Sequence, residues 1–168
     1  MIKLERLRER ASGDRKKLSG TLSGVAGEYF VAGELSRRGY VASLTLRNTR
    51  GIDILASNVD ATKSVGIQVK TTQGGKGYWL LSEVAEADNA QNLYYAFVRL
   101  NGTGVPEYYI VPRAVVAKTV RDEHIKWRGT PRRDGKPHNQ TSMRTFRDSA
   151  NEYRDRWELL GLDSKAGR

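Results

Sequence analysis

Hydrophobic residues recur every three or four positions in the segment that follows Gly20. This spacing places them on one face of an amphipathic helix, so the pattern predicts a helix over residues 23–38. Ser23 is suited to cap its first turn, and Gly39 is suited to end it. The preceding residues 1–20 alternate charged side chains with leucine, which predicts a charged N-terminal helical arm outside the main domain.

Short runs of β-branched, aliphatic and aromatic residues follow this helix, and polar or glycine-rich turns separate them. Such runs are typical of β-strands. Strands are predicted at residues 40–46, 52–56, 65–70, 78–81, 93–100 and 107–112. The last two flank "NGTGVP" and form a predicted hairpin, and helical spacing resumes in "RAVVAKTVRDEHIKW" after Pro112. This order of helices and strands predicts an α/β domain with a central mixed β-sheet.

The C-terminal part of the chain contains two further predicted features. Residues 128–142, "RGTPRRDGKPHNQTS", combine proline, glycine and basic residues and predict a basic loop. Residues 143–161 carry aromatic and leucine side chains at helical spacing and predict a C-terminal helix. A chain of 168 residues without an internal repeat suits one hydrophobic core. Residues 21–168 are therefore predicted to form a single domain.

The net charge of the chain limits the classes of partner that it is expected to bind. Lys and Arg number 29 against 19 Asp and Glu, which gives a formal net charge of +10. An excess of this size favours an anionic polymer, most commonly nucleic acid, although membrane surfaces and acidic proteins also carry the complementary charge. The absence of cysteine excludes disulfides, a thiolate nucleophile and Cys-based zinc sites. No stretch has the apolar length of a membrane span, so we expect a cytoplasmic, soluble protein.

Polar residues interrupt two neighbouring predicted strands. Asp53 lies between two isoleucines, and Gln68 and Lys70 flank Val69 near the end of the next strand. Residues two apart in a strand point to the same face, so Gln68 and Lys70 share one. Antiparallel pairing through the turn "SNVDATKS" places Asp53 beside the end of the second strand. Glu28, on the preceding helix, then supplies a second carboxylate.

Hydrolysis of a phosphodiester requires an activated water and groups that neutralise the charge developing on the phosphate. Divalent cations held by oxygen donors do both. The predicted ligands for Mg²⁺ or Mn²⁺ all offer oxygen: Glu28, Asp53, Gln68 and the backbone carbonyl of Val69. Lys70 is predicted to orient the water or to stabilise the developing charge.

Three short motifs in this order resemble the PD-(D/E)xK nuclease superfamily: "GE" on the first helix, "GID" on a strand and "IQVK" on the following strand. They look most like its Holliday-junction-resolvase-like branch and the methylated-DNA restriction endonucleases of the Mrr type, over residues 23–72. The resemblance implies a restriction-endonuclease-like core, with a mixed β-sheet flanked by helices in the order α-β-β-β-α-β. It also implies a Mg²⁺- or Mn²⁺-dependent endonuclease acting on DNA, and it makes a homodimer a candidate assembly.

The same resemblance implies a role for each motif residue. Glu28 corresponds to the helix carboxylate, Asp53 to the metal-binding aspartate and Lys70 to the catalytic lysine. Gln68 occupies the (D/E) position, where a glutamine recurs in the Mrr-like branch. This departure removes one negative charge, which implies weaker metal binding unless Glu28 compensates.

Each site residue also has a purely structural interpretation. Asp53 is then a turn residue at a strand end, Gln68 and Lys70 form the solvent face of an edge strand, and Glu28 is an exposed helix residue with Glu34 as its competitor. Two other functions follow from these interpretations. One is a catalytically inactive nuclease-fold module that binds nucleic acid, and the other is a small interaction protein with an acidic partner.

Basic residues around the predicted loops are candidates for phosphate contact without reading base sequence. They are Lys76, Arg128, Arg132, Arg133, Lys136 and His138. The alternative is that the loop over residues 128–142 is ordinary soluble surface. His124 is interpreted as a solvated helix residue. Trp79 belongs either to the core or to a surface on which bases stack.

Overall fold

The computed structural model describes residues 17–46, 51–75, 77–87 and 91–163. Its helices are α1 (Gly20–Arg37) and α2 (Arg113–Gly129), and its strands are β1 (Val41–Leu44), β2 (Ile54–Ser57), β3 (Ser64–Gln73), β4 (Trp79–Ser82), β5 (Leu93–Leu100), β6 (Glu107–Pro112) and β7 (Met143–Phe146). Two single-turn 3-10 helices span Glu83–Glu86 and Trp157–Leu160. Neither of the α-helices in these ranges has the length and apolarity needed to cross a membrane.

Helix α1 begins earlier than its sequence pattern predicts. Ser19, not Ser23, is its N-cap, because the Ser19 hydroxyl accepts the backbone N–H of Leu22 at 3.2 Å. Ser23 is already inside the helix, where its N–H donates to the Ser19 carbonyl. Gly39 follows the helix with a φ of +86°, as its predicted role in ending the helix requires. Residues 1–16 of the predicted N-terminal arm lie outside the described residues.

Five strands form one mixed sheet in the order β1-β2-β3-β5-β6. The β1–β2, β2–β3 and β5–β6 pairs are antiparallel, and the β3–β5 pair is parallel. The predicted α/β class with a central mixed sheet is confirmed, and each predicted strand overlaps an observed one. The connection from β3 to β5 contains β4 and the 3-10 helix Glu83–Glu86, where the implied element order has a second helix.

The sheet has a different core on each face. On one face, Val31 and Leu35 of α1 pack against alternate residues of the central strands, including Ile67 and Val69. On the other face lies an aromatic cluster of Trp79, Tyr95, Phe97, Tyr109 and Phe146, covered by α2. Trp79 is buried, and its indole N–H donates to the Val98 carbonyl at 2.9 Å. Trp79 is therefore a core residue rather than a stacking surface.

The predicted C-terminal helix over residues 143–161 is wrong. Its first residues form β7, which pairs antiparallel with β4, so that Phe146 lies opposite Trp79. Asn151 and Asp155 then adopt positive φ angles of 55° and 54°, a conformation that a helix cannot contain. The aromatic residues at helical spacing are buried in different cores, Phe146 in the aromatic cluster and Trp157 against α1. Their spacing therefore does not reflect one helix face.

The predicted basic loop is shorter than residues 128–142. Helix α2 continues through Arg128 to Gly129, and residues 130–142 have no regular secondary structure. A tight turn closes within them, because the N–H of Arg132 donates to the carbonyl of Lys136 at 2.9 Å. The grouping of residues 21–168 into a single domain stays a prediction.

Candidate active site

Asp53 lies immediately before β2, where this strand separates from β3. Its backbone N–H donates to the Ile67 carbonyl at 2.9 Å, and its carboxylate Oδ2 accepts the N–H of Val69 at 2.7 Å. A side-chain oxygen thus satisfies a β3 backbone donor that the strand ladder no longer reaches. The N–H of Thr45 donates to the Asp53 carbonyl at 3.0 Å, and the Thr45 hydroxyl donates to the Ile52 carbonyl at 2.6 Å. The position of Asp53 is therefore fixed from two sides.

A cavity of about 280 Å³ brings Glu28 and Asp53 together. The residues that line it come from the first half of α1, from the end of β1 and from the start of β2: Gly20, Thr21, Gly24, Val25, Glu28, Thr45 and Asp53. The glycines leave part of the α1 wall without side chains, and the carboxylate-bearing residues Glu28 and Asp53 both line the open space. The competitor Glu34 does not line this cavity. Its carboxylate instead pairs with Arg37 at 2.9 Å and with Arg38 at 3.5 Å.

The backbone of Val69 points toward Asp53. The N–H and C=O groups of one strand residue face the same neighbour, so the Val69 carbonyl lies at the edge of β3 that its N–H shares with the Asp53 carboxylate. Of the predicted metal ligands, Asp53 thus shares a cavity with Glu28 and a hydrogen bond with Val69, although Val69 does not line that cavity.

Gln68 and Lys70 are half-buried on the same strand. They alternate with Ile67 and Val69, which belong to the core shared with α1, and thus share the opposite face of β3. Gln68 pairs in register with Tyr95 of β5, and neither Gln68 nor Lys70 lines the cavity of Glu28 and Asp53.

Asp53 is nevertheless close to this second face. The paired register of β2 and β3 ends at Ile54 and Ile67, and the N–H of Asp53 donates to the Ile67 carbonyl, so Asp53 lies beside this end of the ladder. The pKa of the Tyr95 hydroxyl is raised, first by burial, with Arg113 opposing the shift and the negative charge of Asp53 adding to it. The field of Asp53 therefore reaches the side of the sheet on which Gln68 and Tyr95 lie.

The donor set at this edge consists of oxygen alone. It contains the carboxylates of Glu28 and Asp53 and the Val69 carbonyl, a combination suited to Mg²⁺ or Mn²⁺ with several retained waters, whereas Gln68 does not line the cavity. Within the described ranges no three His, Cys, Asp or Glu side chains cluster closely enough to hold a metal ion. A cation here depends on neutral oxygen donors in addition to Glu28 and Asp53.

The predicted phosphate contacts lie on a different part of the molecule. Arg128, Arg132, Arg133 and Lys136 are exposed at the end of α2 and in the following loop. His138 is half-buried and stacks on Trp127, with ring centroids 4.0 Å apart. Lys76 lies outside the described residues.

The sequence analysis does not single out three residues that lie near these sites. Thr45 and Tyr95 contact or face Asp53 only because distant strands meet. Trp127 stacks with His124 at 5.5 Å as well as with His138. His124 is therefore half-buried in a ring stack rather than solvated, and its pKa is lowered by burial and by the positive charge of Arg144. The "HIKW" spacing in α2 is the one local hint of this stack.

Comparison with known proteins addresses the fold. No protein-family model and no curated protein sequence matches the chain. The structure is similar to that of a bacterial homing endonuclease, I-Ssp6803I, with a TM-score of 0.53 and 13% identity, over 86% of this chain and 92% of that chain. A Holliday junction resolvase from Archaeoglobus fulgidus, Hjc, matches with a TM-score of 0.48 and 15% identity, over 84% of this chain and 98% of that chain. The predicted likeness is confirmed at the level of the fold: the chain has a restriction-endonuclease-like fold.

Proposed function

We propose that the chain is a metal-dependent endonuclease that hydrolyses phosphodiester bonds in DNA. The observation that carries the proposal is the shared cavity of Glu28 and Asp53 beside the backbone of Val69. It occurs in a restriction-endonuclease-like fold, and similar folds include a homing endonuclease. The net charge of +10 suits a polyanionic substrate.

Each residue of the site has a distinct task in this proposal. Glu28 and Asp53 supply the negative charge that holds a divalent cation, and the Val69 N–H keeps the Asp53 carboxylate in one orientation. Gln68 adds a neutral oxygen. A cation held by these residues would supply an activated water and would neutralise charge on the phosphate. The Lys70 ammonium orients the attacking water or stabilises charge on the phosphate oxygens.

Exposed cations give the chain a binding surface that does not depend on base sequence. Arg128, Arg132, Arg133 and Lys136 lie close together in the chain and are exposed. Contacts of this kind position a nucleic acid by its phosphates and do not read its bases. Two copies of the chain would carry one site for each strand of a duplex, so a homodimer remains part of the proposal.

A second candidate function is a nucleic-acid-binding module without catalysis. The observation that favours it is Gln68, an amide at the position of a carboxylate, next to a cavity whose acidic residues are Glu28 and Asp53. Loss of one charge weakens the hold on a hard cation. The basic surface would serve this function unchanged.

One experiment separates these candidates. The purified chain is incubated with linear, nicked, branched and methylated DNA, with Mg²⁺ or Mn²⁺ and with a chelator. We expect metal-dependent cleavage that Asp53→Asn abolishes and that Glu34→Gln, a carboxylate change outside the cavity on the same helix, preserves. Binding of the DNA panel without cleavage of any member would exclude the endonuclease and support the binding module.

A further inference from the structure

A second cavity, of about 620 Å³, lies between α2, the loop after it and β7. Its walls include His124 and Trp127 of α2, Arg132 and His138 of the loop, and Arg147 just after β7. This volume falls in the range of pockets that bind small organic molecules and nucleotides. It is larger than the cavity at Glu28 and Asp53 and shares no lining residue with it.

Three aromatic rings form a stack on one wall of this cavity. The Trp127 ring stacks with the His138 ring at 4.0 Å and an interplanar angle of 28°, and with the His124 ring at 5.5 Å and 27°. Trp127 is 38% exposed and lines the cavity. Flat, accessible rings of this kind are the surfaces on which proteins stack unpaired bases.

Arginine side chains line the cavity beside the rings, together with one carboxylate, that of Glu123. Arg132 is exposed and pairs with Asp134 at 3.5 Å, and Arg147 lies over the ring of Tyr78 at 5.0 Å from its centroid. The buried Arg144 pairs with Glu86 and also donates to the Thr141 and Met143 carbonyls. Its charge is therefore already committed, and it fixes the loop against β7. Burial, and after it the charge of Arg144, lowers the pKa of His124, and the charge of Glu86 opposes this shift.

Neutral hydrogen-bonding groups complete the lining. Asn139 and Gln140 each contribute an amide to the cavity. An amide both donates and accepts, which matches the edge of a base. Rings, amides and arginines in one cavity correspond to the three parts of a nucleotide contact: base face, base edge and phosphate.

We propose that this cavity binds one unpaired nucleotide of a DNA strand. The base packs against the stack of His124, Trp127 and His138, and its phosphate lies at Arg132 and Arg147. The proposal rests on the proposed function for its substrate and makes that substrate more specific. It is DNA with a single-stranded or unpaired segment, because a base inside a regular duplex presents no free face.

Trp127 provides a built-in probe for the test. The other tryptophans, Trp79 and Trp157, are each only 3% exposed. Quenching of the protein fluorescence by an added oligonucleotide therefore reports mainly on Trp127. A short single-stranded oligonucleotide is titrated in the presence of a chelator, so that no cleavage occurs, and a duplex of the same length is titrated in parallel. We expect saturable quenching by the single strand and less by the duplex.

Variants connect the signal to the cavity. We expect Trp127→Ala and His138→Ala to weaken binding of the single strand about tenfold and to leave duplex binding unchanged, as measured by anisotropy of labelled DNA. Ile125→Ala is the matched control, because Ile125 is 64% exposed on the same helix and does not line the cavity. Unchanged single-strand binding, or an equal loss for single strand and duplex, would overturn the proposal.

The outcome also separates this inference from the proposed endonuclease. Asp53→Asn is expected to remove cleavage while the quenching persists. If the oligonucleotide quenches the Trp127 fluorescence of the wild-type protein but no DNA is cleaved, the endonuclease is excluded and the nucleotide-binding cavity is supported. If the wild-type protein cleaves DNA and Trp127→Ala binds the single strand as tightly as wild type, the nucleotide-binding role of the cavity is excluded and the endonuclease is supported.

Discussion

The Asp53 carboxylate accepts the backbone N–H of Val69 at 2.7 Å, on the strand residue between Gln68 and Lys70. This bond gives Asp53 two separable properties. As an acceptor it completes the backbone hydrogen bonding of β3 where β2 departs, and as an anion it lines the cavity with Glu28. A substitution that keeps the acceptor and removes the charge therefore tests the catalytic role apart from the structural one.

We expect Asp53→Asn to abolish cleavage and to change the free energy of unfolding only slightly, because its amide oxygen still accepts the Val69 N–H. Asp53→Ala leaves that donor without a partner and should lower the free energy of unfolding by about 1–3 kcal/mol. Denaturant unfolding and single-turnover cleavage measure the two effects. Equal stability of the two variants would show that the hydrogen bond to Val69 contributes little.

Close packing of α1 on β3 gives a second prediction. A Cβ added at Gly27 would lie 1.9 Å from the Thr71 Oγ1. The Thr71 hydroxyl is buried and has no hydrogen-bond partner among the described residues. Gly27→Ala should therefore destabilise the fold by about 1–3 kcal/mol through overpacking, whereas Gly33→Ala on the same helix should stabilise it by up to about 1 kcal/mol. Within the part of the chain that the structure describes, nothing lies within 4 Å of a Cβ at Gly33.

A double-mutant cycle checks the cause. Thr71→Ala removes the hydroxyl that meets the new methyl group, so Gly27→Ala should cost less in that background, and the coupling is measured by denaturant unfolding. The same cost in both backgrounds would mean that the helix does not approach β3 as closely as the structure has it.

Local patterns predict the central part of the fold well. The antiparallel pairing of β2 and β3 follows from two strand-like runs joined by a short polar turn, and this pairing places Asp53 beside the end of the second strand. The shared face of Gln68 and Lys70 follows from the two-residue period of a strand. The motifs of the candidate site are local in this sense, which is why the pattern finds them.

Long-range pairing is what the sequence pattern misses. Strands β4 and β7 pair although about sixty residues separate them. No turn joins the two strands directly, so the local sequence does not indicate that they are partners. The aromatic residues of the last segment have the spacing of a helix face, but Phe146 and Trp157 are buried in different cores. The stack at Trp127 forms because the loop folds back onto α2, which no spacing within α2 alone encodes.

Alkaline pH should destabilise the fold through Tyr108. Burial, with the negative charge of Glu34, raises the pKa of Tyr108 to about 12, against about 10 for tyrosine in an unfolded chain. Above about pH 10 the unfolded chain loses this proton while the folded chain keeps it, so the stability is present below that pH and is lost as pH rises toward 12. The free energy of unfolding is measured between pH 9 and pH 12. The free energy of unfolding of Tyr108→Phe should decline less steeply over this interval. An identical decline in the variant and the wild type would contradict the raised pKa of Tyr108.

Salt dependence tests the basic loop independently of catalysis. Lysine and arginine contacts release counterions from DNA, so log Kobs falls linearly with log salt, by about 0.9 for each phosphate neutralised. Replacing Arg132 and Arg133 with alanine should weaken binding for all sequences and reduce the slope by up to about 2. The control replaces Arg37 and Arg156, exposed arginines that pair with Glu34 and Glu158 on other elements. If the salt dependence of DNA binding has the same slope for the Arg132 and Arg133 variant as for wild type, the loop does not contact DNA.

The last prediction concerns Gln68, which offers a neutral oxygen at the position of a carboxylate. A cation held by Glu28 and Asp53 then meets one negative charge fewer, so we expect weak Mg²⁺ affinity and better activity with Mn²⁺, which accepts less charged ligands more readily. Gln68→Glu restores the charge and should preserve or raise the metal affinity, measured by calorimetric titration and by the rise in melting temperature with Mn²⁺.

Lys70→Ala provides the complementary measurement. It removes the ammonium that orients the attacking water or stabilises the developing charge, and leaves both carboxylates in place. Single-turnover cleavage should therefore be lost while metal affinity and DNA binding stay near the wild-type values. Cleavage by Lys70→Ala at the wild-type rate would exclude the proposed role of this lysine even though the fold is correct. A Gln68→Glu protein that binds metal more weakly than wild type would contradict the proposed role of Gln68 as an oxygen ligand.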